Sequence, residues 1–328
     1  MIVCCFSKIL KNIEGNGLIH KIKTLINAIL CSGRIPKGLN RSIIVPIIKD
    51  KNEKSFNSNN YRPISVSNVI AQILEKVILI NCQVFKSISS MQFGFKNAVS
   101  THQPIFLLKE LINKYIKEKS PLYVASLDAE KAYDSVWRDG IFFNIKDSIN
   151  KQFWLVMKDY YDKAGVFKIN NNIDNENIVK ILRGVKQGGV LSPQLFNFYV
   201  DELIRMVQET GEGCRIEDLI LAILAYCDDM LLVAPSITQM NKMIGKCEEF
   251  GKKWLIKFNA KKSVILNGGE KLFKSEQIKV LMGKSQMPVV EISKYLGINI
   301  DTIHSDDEQT LNRFKKVQSC FCGLGSLG

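Results

Sequence analysis

The chain has 328 residues, 46% hydrophobic and 23% charged, with 8 prolines and 21 glycines. That balance excludes a disordered or collagen-like chain, and the length is too great for a single core, so two or three closely packed subdomains are expected. A formal charge of +13 at pH 7 fits a polyanionic partner as readily as a merely basic soluble protein, but the basic residues are dispersed, which favours a folded basic cleft over a disordered arm.

In chain order, residues 18–32 read as a helix and 42–48 as a strand, followed by a polar, asparagine-rich loop over 49–61. Apolar residues recur at helical spacing over 70–82 and 105–119. The apolar run 122–127 reads as a buried strand ending at Asp128. A helix near 153–162 and a short strand pair at 167–169 and 178–182 come next. Ser192 and Pro193, a good cap and a first-turn proline, open a long helix to about residue 209. Two short apolar runs flank Asp228 and Asp229 and predict a β-hairpin with an acidic tip. An amphipathic helix over 237–255 and strands near 264–266, 278–281 and 294–296 close the chain. Helices on one face of a largely antiparallel sheet define an α+β class.

The 9 cysteines form no CxxC pair, and the 3 histidines, His20, His102 and His304, are far apart. Reduced thiols and no structural metal are expected. The opening MIVCCFSKIL is too short for a spanning helix, so neither secretion nor a membrane anchor is expected. An intracellular protein, nuclear or cytoplasmic, follows.

Adjacent like charges at Asp228 and Asp229 destabilise a tight turn unless a cation or bulk water compensates them. Oxygen-only ligands suit Mg²⁺, which takes one or two carboxylates plus substrate phosphates and waters. An ordinary solvated turn is the plainer reading. Asp128, at a strand end, can face such a tip, and it can also be the N-cap of a helix whose first turn is 129–133. Brought together, Asp128, Asp228 and the neighbouring Asp229 would hold two Mg²⁺ roughly 3.5–4 Å apart, the arrangement that clamps both oxygens of an in-line phosphoryl displacement.

The order SLDAEKAYDSVW, GVKQGGVLSPQLFN, AYCDDMLLVA, NAKKS and KYLG resembles the palm of a reverse transcriptase, more narrowly of LINE-type (non-LTR) retrotransposons. Upstream, IPKGLNRSIIVPIIKDKN, NYRPISVSNVIAQILEKVI and MQFGFKNAVSTHQPIFLLKELI resemble its finger segments. The resemblance runs from about residue 22 to the end, and motifs in the right order carry more weight than any one of them. It implies a right-hand polymerase: an N-terminal segment at 1–21, fingers at 22–121, palm at 122–300 and the start of an incomplete thumb at 301–328.

The implied activity is RNA-directed DNA synthesis, a nucleotidyl transfer from dNTPs to a DNA primer on an RNA template, with two Mg²⁺ ions or Mn²⁺ in their place. Asp128, Asp228 and Asp229 would be the metal ligands. Tyr133 would be a steric gate against the 2′-hydroxyl, or else a plain core tyrosine. Gln187 and Gly188 would contact the nucleotide, Lys49 and Arg62 its triphosphate. Tyr226, Tyr295, Leu296 and Gly297 would meet the primer. Lys262, with Lys261 a close rival, would be the general acid for pyrophosphate. Cys227 stands where the family usually has a small residue such as alanine. The family's usual endonuclease and full thumb are not evident, so weak processive synthesis is expected. Two alternatives stay open: a catalytically dead nucleic-acid-binding remnant and a group II intron-type reverse transcriptase.

Overall fold

The computed structural model describes residues 16–49, 57, 60–167, 178–269 and 274–301. The thumb helix expected from about residue 306, the N-terminal segment up to 15 and most of the asparagine-rich loop lie outside the described residues. In chain order these form α1 (Asn16–Ser32), β1 (Arg41–Ile48), β2 (Tyr61–Ser67), α2 (Val69–Asn81), α3 (His102–Lys117), β3 (Pro121–Leu127), α4 (Ala132–Ser135), α5 (Arg138–Ile145) and α6 (Lys151–Asp162). Then come β4 (Gly165–Phe167), β5 (Ile178–Lys180), α7 (Ser192–Gln208), β6 (Cys214–Ile216), β7 (Leu219–Leu221), β8 (Ile223–Tyr226), β9 (Asp229–Ala234) and α8 (Ile237–Trp254). The last strands are β10 (Val264–Gly269), β11 (Leu281–Met282), β12 (Ser285–Gln286), β13 (Val289–Val290), β14 (Ile292–Tyr295) and β15 (Ile298–Asp301).

Most predicted elements are present with ends moved by a residue or a few. Two differ. The strand expected over 278–281 is shifted to Leu281, because Ile278 donates its N–H to Ser275 and closes a 3-10 turn. The helix expected to start at Asp128 begins at Ala132, after Lys131 in the left-handed region. Lys131 takes the cap position, and the Asp128 backbone is bonded instead to the 259–263 turn.

The contacts divide the chain into two compact units that interleave along the sequence: residues 1–87 with 137–195, and 88–136 with 196–328. The expected subdomains were consecutive stretches instead. In the first unit a four-stranded sheet runs β2-β1-β4-β5, antiparallel between β1 and β2 and parallel between β1 and β4. Helix starts are fixed by side chains: Asn68 accepts from the Ala71 amide at 2.8 Å ahead of α2, and Asn150 from that of Gln152 at 2.9 Å ahead of α6. Ile43, Val45 and Ile47 alternate along β1 on an exposed face, and Arg62 pairs with Ile47 on that face.

In the second unit a five-stranded sheet runs β13-β10-β3-β9-β8. It is antiparallel except between β10 and β13. Leu122 to Ala125 in β3 and Met230 to Ala234 in β9 are buried without alternation, so these strands are covered on both faces. Helix α3 packs on β3 and β10, and α8 on β3 and β9. Tyr199, Phe250 and Trp254 join α7 to α8 edge-on and stacked, and the Tyr199 hydroxyl donates to the Trp254 carbonyl. Among the described residues no helix is long and apolar enough to cross a membrane.

Leu232 lies fully buried in β9 between Ala125 of β3 and Ile223 of β8. Leu232→Ala should therefore destabilise the second unit by about 2–5 kcal/mol, measured as a lower urea midpoint at unchanged slope.

Candidate active site

Strands β8 and β9 pair Tyr226 with Asp229, leaving Cys227 and Asp228 as a two-residue turn. Cys227 has φ 57°, in the region where primed hairpin turns favour glycine. The tip is polar and open: Asp228 and Asp229 are exposed, Tyr226 is half-buried and Cys227 is buried. Strand β3 lies antiparallel to β9 with Leu127 opposite Met230. Continued by one residue, that register brings Asp128 level with Asp229.

Asp128 is held from a second side. Its N–H donates to the buried Ser263 hydroxyl at 3.0 Å, and its carbonyl accepts from the Asn259 amide at 2.9 Å. Asn259 also caps the turn, its side-chain oxygen accepting from the Lys261 and Lys262 amides at 3.1 and 3.3 Å. Lys261 and Lys262 are exposed on a turn fastened directly to Asp128.

The strained Cys227 is clamped by side chains that motif reading did not single out. Gln92, fully buried, accepts from the Cys227 and Gly94 amides, both at 2.9 Å. The chain around it joins β8 as a parallel bridge, Phe93 N–H donating to the Ala225 carbonyl at 2.7 Å and Ala225 N–H to that of Met91 at 2.9 Å. Gly94 allows this approach, since a Cβ there would sit 2.6 Å from the Cys227 nitrogen. Asn197 of α7 donates to the Gly94 carbonyl at 2.7 Å and lies 3.4 Å from the Cys227 sulfur. The motifs MQFGF, LSPQLFN and NAKKS contain Gln92, Asn197 and Ser263 respectively, but nothing in those strings says that their side chains meet the Cys227 and Asp128 backbones.

Tyr133 stacks on Phe196, centroids 5.0 Å apart, with its hydroxyl 3.4 Å from Cys227 Sγ. It therefore stands beside the tip. Burial pushes its pKa up, and the neighbouring Cys227 thiol and the Asp228 charge act in the same direction, so the ring stays neutral. Burial likewise pushes the Cys227 thiol up to about 12, against the lowering effect of the Tyr133 hydrogen bond, which leaves it a thiol. Tyr295 is buried, and among the described residues its hydroxyl has no hydrogen-bond partner. Burial first, and the Asp229 charge second, raise its pKa. Its side chain is thus in the core, while Leu296 and Gly297, φ 46° and 87°, form the tip of the β14–β15 hairpin.

The remaining sequence-selected residues belong to the first unit. Lys49 and Arg62 are exposed on the adjoining ends of β1 and β2, with the Lys49 amide donating to the Asn60 carbonyl at 2.8 Å. The Gln187 carbonyl accepts from the Ser65 amide of β2 at 2.6 Å. Gly188, φ 102°, passes so close to that strand that a Cβ would meet the Ser65 oxygen at 2.9 Å.

Among the described residues no three histidine, cysteine or acidic side chains gather closely enough to hold a metal ion by themselves. Three like charges do not converge unaided. The donor set still fits Mg²⁺, whose habit is one or two carboxylates completed by substrate phosphates and water. The backbone beneath the two strand ends is fixed independently of any ion, by Ser263 and by Gln92.

A family profile, reverse transcriptase (RNA-dependent DNA polymerase), matches residues 48–300. Among curated proteins, the RNA-directed DNA polymerase from mobile element jockey of Drosophila melanogaster is 26% identical over 250 residues, covering 73% of this chain and 26% of that protein. The Retrovirus-related Pol polyprotein from type-2 retrotransposable element R2DM of the same species is 26% identical over 285 residues, 84% of this chain and 26% of that protein. The chain thus spans about a quarter of the length of these relatives. Among solved structures, apo telomerase from Candida tropicalis superposes with a TM-score of 0.55 at 13% identity, over 88% of this chain and 52% of that one. Telomerase from Candida albicans in complex with a TWJ fragment of telomeric RNA gives 0.55 at 11%, over 85% and 48%. At such identity the likeness shows the fold, a right-hand polymerase of α+β class. The chain belongs to the reverse transcriptase family, among the LINE-type retrotransposon enzymes that its motifs resemble.

Proposed function

We propose that this chain is an RNA-directed DNA polymerase domain that adds deoxynucleotides to a DNA primer on an RNA template. The observation that carries the reading is the strand register: Leu127, next to Asp128, pairs with Met230, next to Asp229, on an exposed hairpin tip that also bears Asp228. A formal charge of +13 suits a nucleic-acid partner, whose phosphates supply most of the affinity. In this reading residues 22–121 supply the fingers and 122–300 the palm, and the protein works inside the cell, where its template is.

Asp128 and Asp228 would hold two Mg²⁺ ions, or Mn²⁺, with Asp229 supporting. When bound, the ions would lower the pKa of the primer 3′-hydroxyl and neutralise triphosphate charge. The chain's own residues supply placement. Tyr226, on the hairpin flank, and the 295–297 turn meet the primer end, the latter through Leu296 and Gly297, with Tyr295 buried. Tyr133, rigidly stacked on Phe196, excludes a 2′-hydroxyl. In the first unit, Lys49 and Arg62 bind triphosphate oxygens and Gln187 with Gly188 contacts the nucleotide. As the 3′-oxygen, its proton released to water, bonds to the α-phosphorus, the bond to pyrophosphate breaks, and Lys262 Nζ gives the leaving oxygen a proton.

Primer extension on poly(rA)/oligo(dT) with Mg²⁺ and dTTP tests this. Incorporation is expected, and Asp228→Asn should lower kcat on the order of 10²–10³-fold or more while duplex binding persists. Binding without extension in either protein would instead identify a noncatalytic nucleic-acid binder.

Gln92 positions the tip through Cys227 without touching substrate. Gln92→Met, similar in length but lacking the acceptor, should lower kcat about 10- to 100-fold with little change in dTTP KM. Unaltered kcat in a folded variant would remove the clamp from the account. Tyr133→Ala should relax discrimination against ribonucleotides by roughly 10–100-fold, read as the ratio of kcat/KM for dTTP and UTP.

A further inference from the structure

The first unit contains a buried polar chain that the functional reading above leaves unused. Lys186 and Glu75 are 3% and 1% exposed, and Tyr160 is equally buried. The Lys186 ammonium donates to the Asn40 carbonyl at 2.7 Å and to the Tyr160 hydroxyl at 3.1 Å, and lies 4.4 Å from the centre of the Tyr160 ring. The Tyr160 hydroxyl in turn donates to Glu75 Oε1 at 2.6 Å. Glu75 Oε2 accepts from the Leu191 amide at 3.0 Å. The chain starts and ends on one short loop, residues 186–191, which contains Gln187 and Gly188.

Burying an ammonium, a phenol and a carboxylate is unfavourable, and a hydrophobic replacement of equal volume is often as stable. The arrangement does give the loop three fixed points: Lys186 Nζ at one end, the Leu191 amide at the other, and the Gln187 carbonyl on the Ser65 amide between them. Gly189 leaves no slack, since a Cβ there would meet Ser192 Oγ at 2.7 Å and Glu75 Oε2 at 3.3 Å.

We propose that Lys186, Tyr160 and Glu75 are positioning residues that hold the Gln187–Gly188 turn for nucleotide binding, and that the hold depends on the positive charge of Lys186. The inference rests on the polymerase reading and adds a pH-dependent support to its nucleotide contact.

The groups facing Lys186 are Glu75 from α2, Tyr160 and its neighbour Tyr161 from α6, and the Asn40 carbonyl ahead of β1. Arg138 of α5 lies behind Tyr161, donating to its carbonyl at 2.7 Å. Burial lowers the Lys186 pKa from 10.5 to about 8, with the Glu75 charge opposing that shift. Burial and Glu75 raise that of Tyr160 well above its ordinary value, so the phenol remains a donor. The turn is therefore braced below pH 8 and loses the ammonium above it. The effect on stability has the opposite sign. Between about 8 and 10.5 the folded chain binds fewer protons at Lys186 than the unfolded chain, so this group makes the fold more stable as pH rises. Weaker nucleotide binding at high pH is thus separable from alkaline unfolding.

The test is steady-state primer extension between pH 7 and 9, together with hydrogen exchange at the Leu191 and Ser65 amides. For the wild-type chain, dTTP KM should rise several-fold across this range with no loss of thermal stability. Lys186→Met should show the raised KM already at pH 7, flat to pH 9, with kcat little changed. Tyr160→Phe, which keeps the ring and breaks the chain, should raise KM and speed exchange of the Leu191 amide, and it serves if Lys186→Met does not fold. Extension with a KM that ignores both pH and Tyr160→Phe overturns this proposal alone. Failure of the wild-type chain to extend any primer overturns the polymerase reading and this proposal with it.

Discussion

Everything proposed for this chain depends on the pairing register between β3 and β9. Side chains alternate along a strand, so a slip of one residue would turn Asp128 to the opposite face and set it out of line with Asp229. The register is fixed because β3 and β9 are central in the sheet and buried on both faces, with β10 and β8 as their outer neighbours. The carboxylates of the proposed reading therefore lie where the central, doubly covered strands β3 and β9 end, or in the two-residue turn that joins β8 to β9. They are not on a loop that must be ordered first, which suits a reaction that depends mainly on placement.

Rigid strands alone do not hold adjacent like charges at a turn. Asp228 and Asp229 repel one another, and Cys227 adopts a left-handed conformation unfavourable for a residue with a Cβ. Backbone hydrogen bonds from outside the hairpin offset this. Gln92 accepts the Cys227 N–H from a segment more than a hundred residues upstream, and Ser263 accepts the Asp128 N–H from the turn that carries Lys262. Each ties a backbone amide, that of Asp128 or of Cys227 beside Asp228, to a buried acceptor remote in the sequence. The backbone on either side of the acidic tip is thus held by groups remote in the sequence and without any ion.

This division explains how much the sequence disclosed. The strand before Asp128, the hairpin around Asp228 and the helix after Ser192 are local patterns of apolar residues and turn chemistry, and they match β3, β8–β9 and α7. The acidic tip is legible as a turn because two adjacent carboxylates interrupt apolar runs, and its further meaning comes only from the order of the other motifs. Gln92, Ser263 and Asn197 are not legible in that way. A buried glutamine or serine carries no periodic signature, and its role is set by the backbone group it meets through the folded core. The helix start that Asp128 also offered is not taken, since its carbonyl, which would accept the first helical bond, accepts from the Asn259 amide instead. Tyr295, selected as a primer contact from KYLG, is buried, because its aromatic body favours the core even where its neighbours reach the surface.

The two units carry their charges in opposite ways. In the second, Asp228 and Asp229 are exposed, where water weakens their repulsion until substrate and ions replace it. In the first, Glu75 and Lys186 are removed from water, and their compensation is internal, through Tyr160. Exposed carboxylates can change partners during a reaction, and a buried pair joined through a phenol cannot do so without breaking the chain that links it. The first arrangement suits groups that take part in chemistry. The second suits groups that hold a neighbouring backbone still, which is the part proposed for the chain behind Gln187 and Gly188.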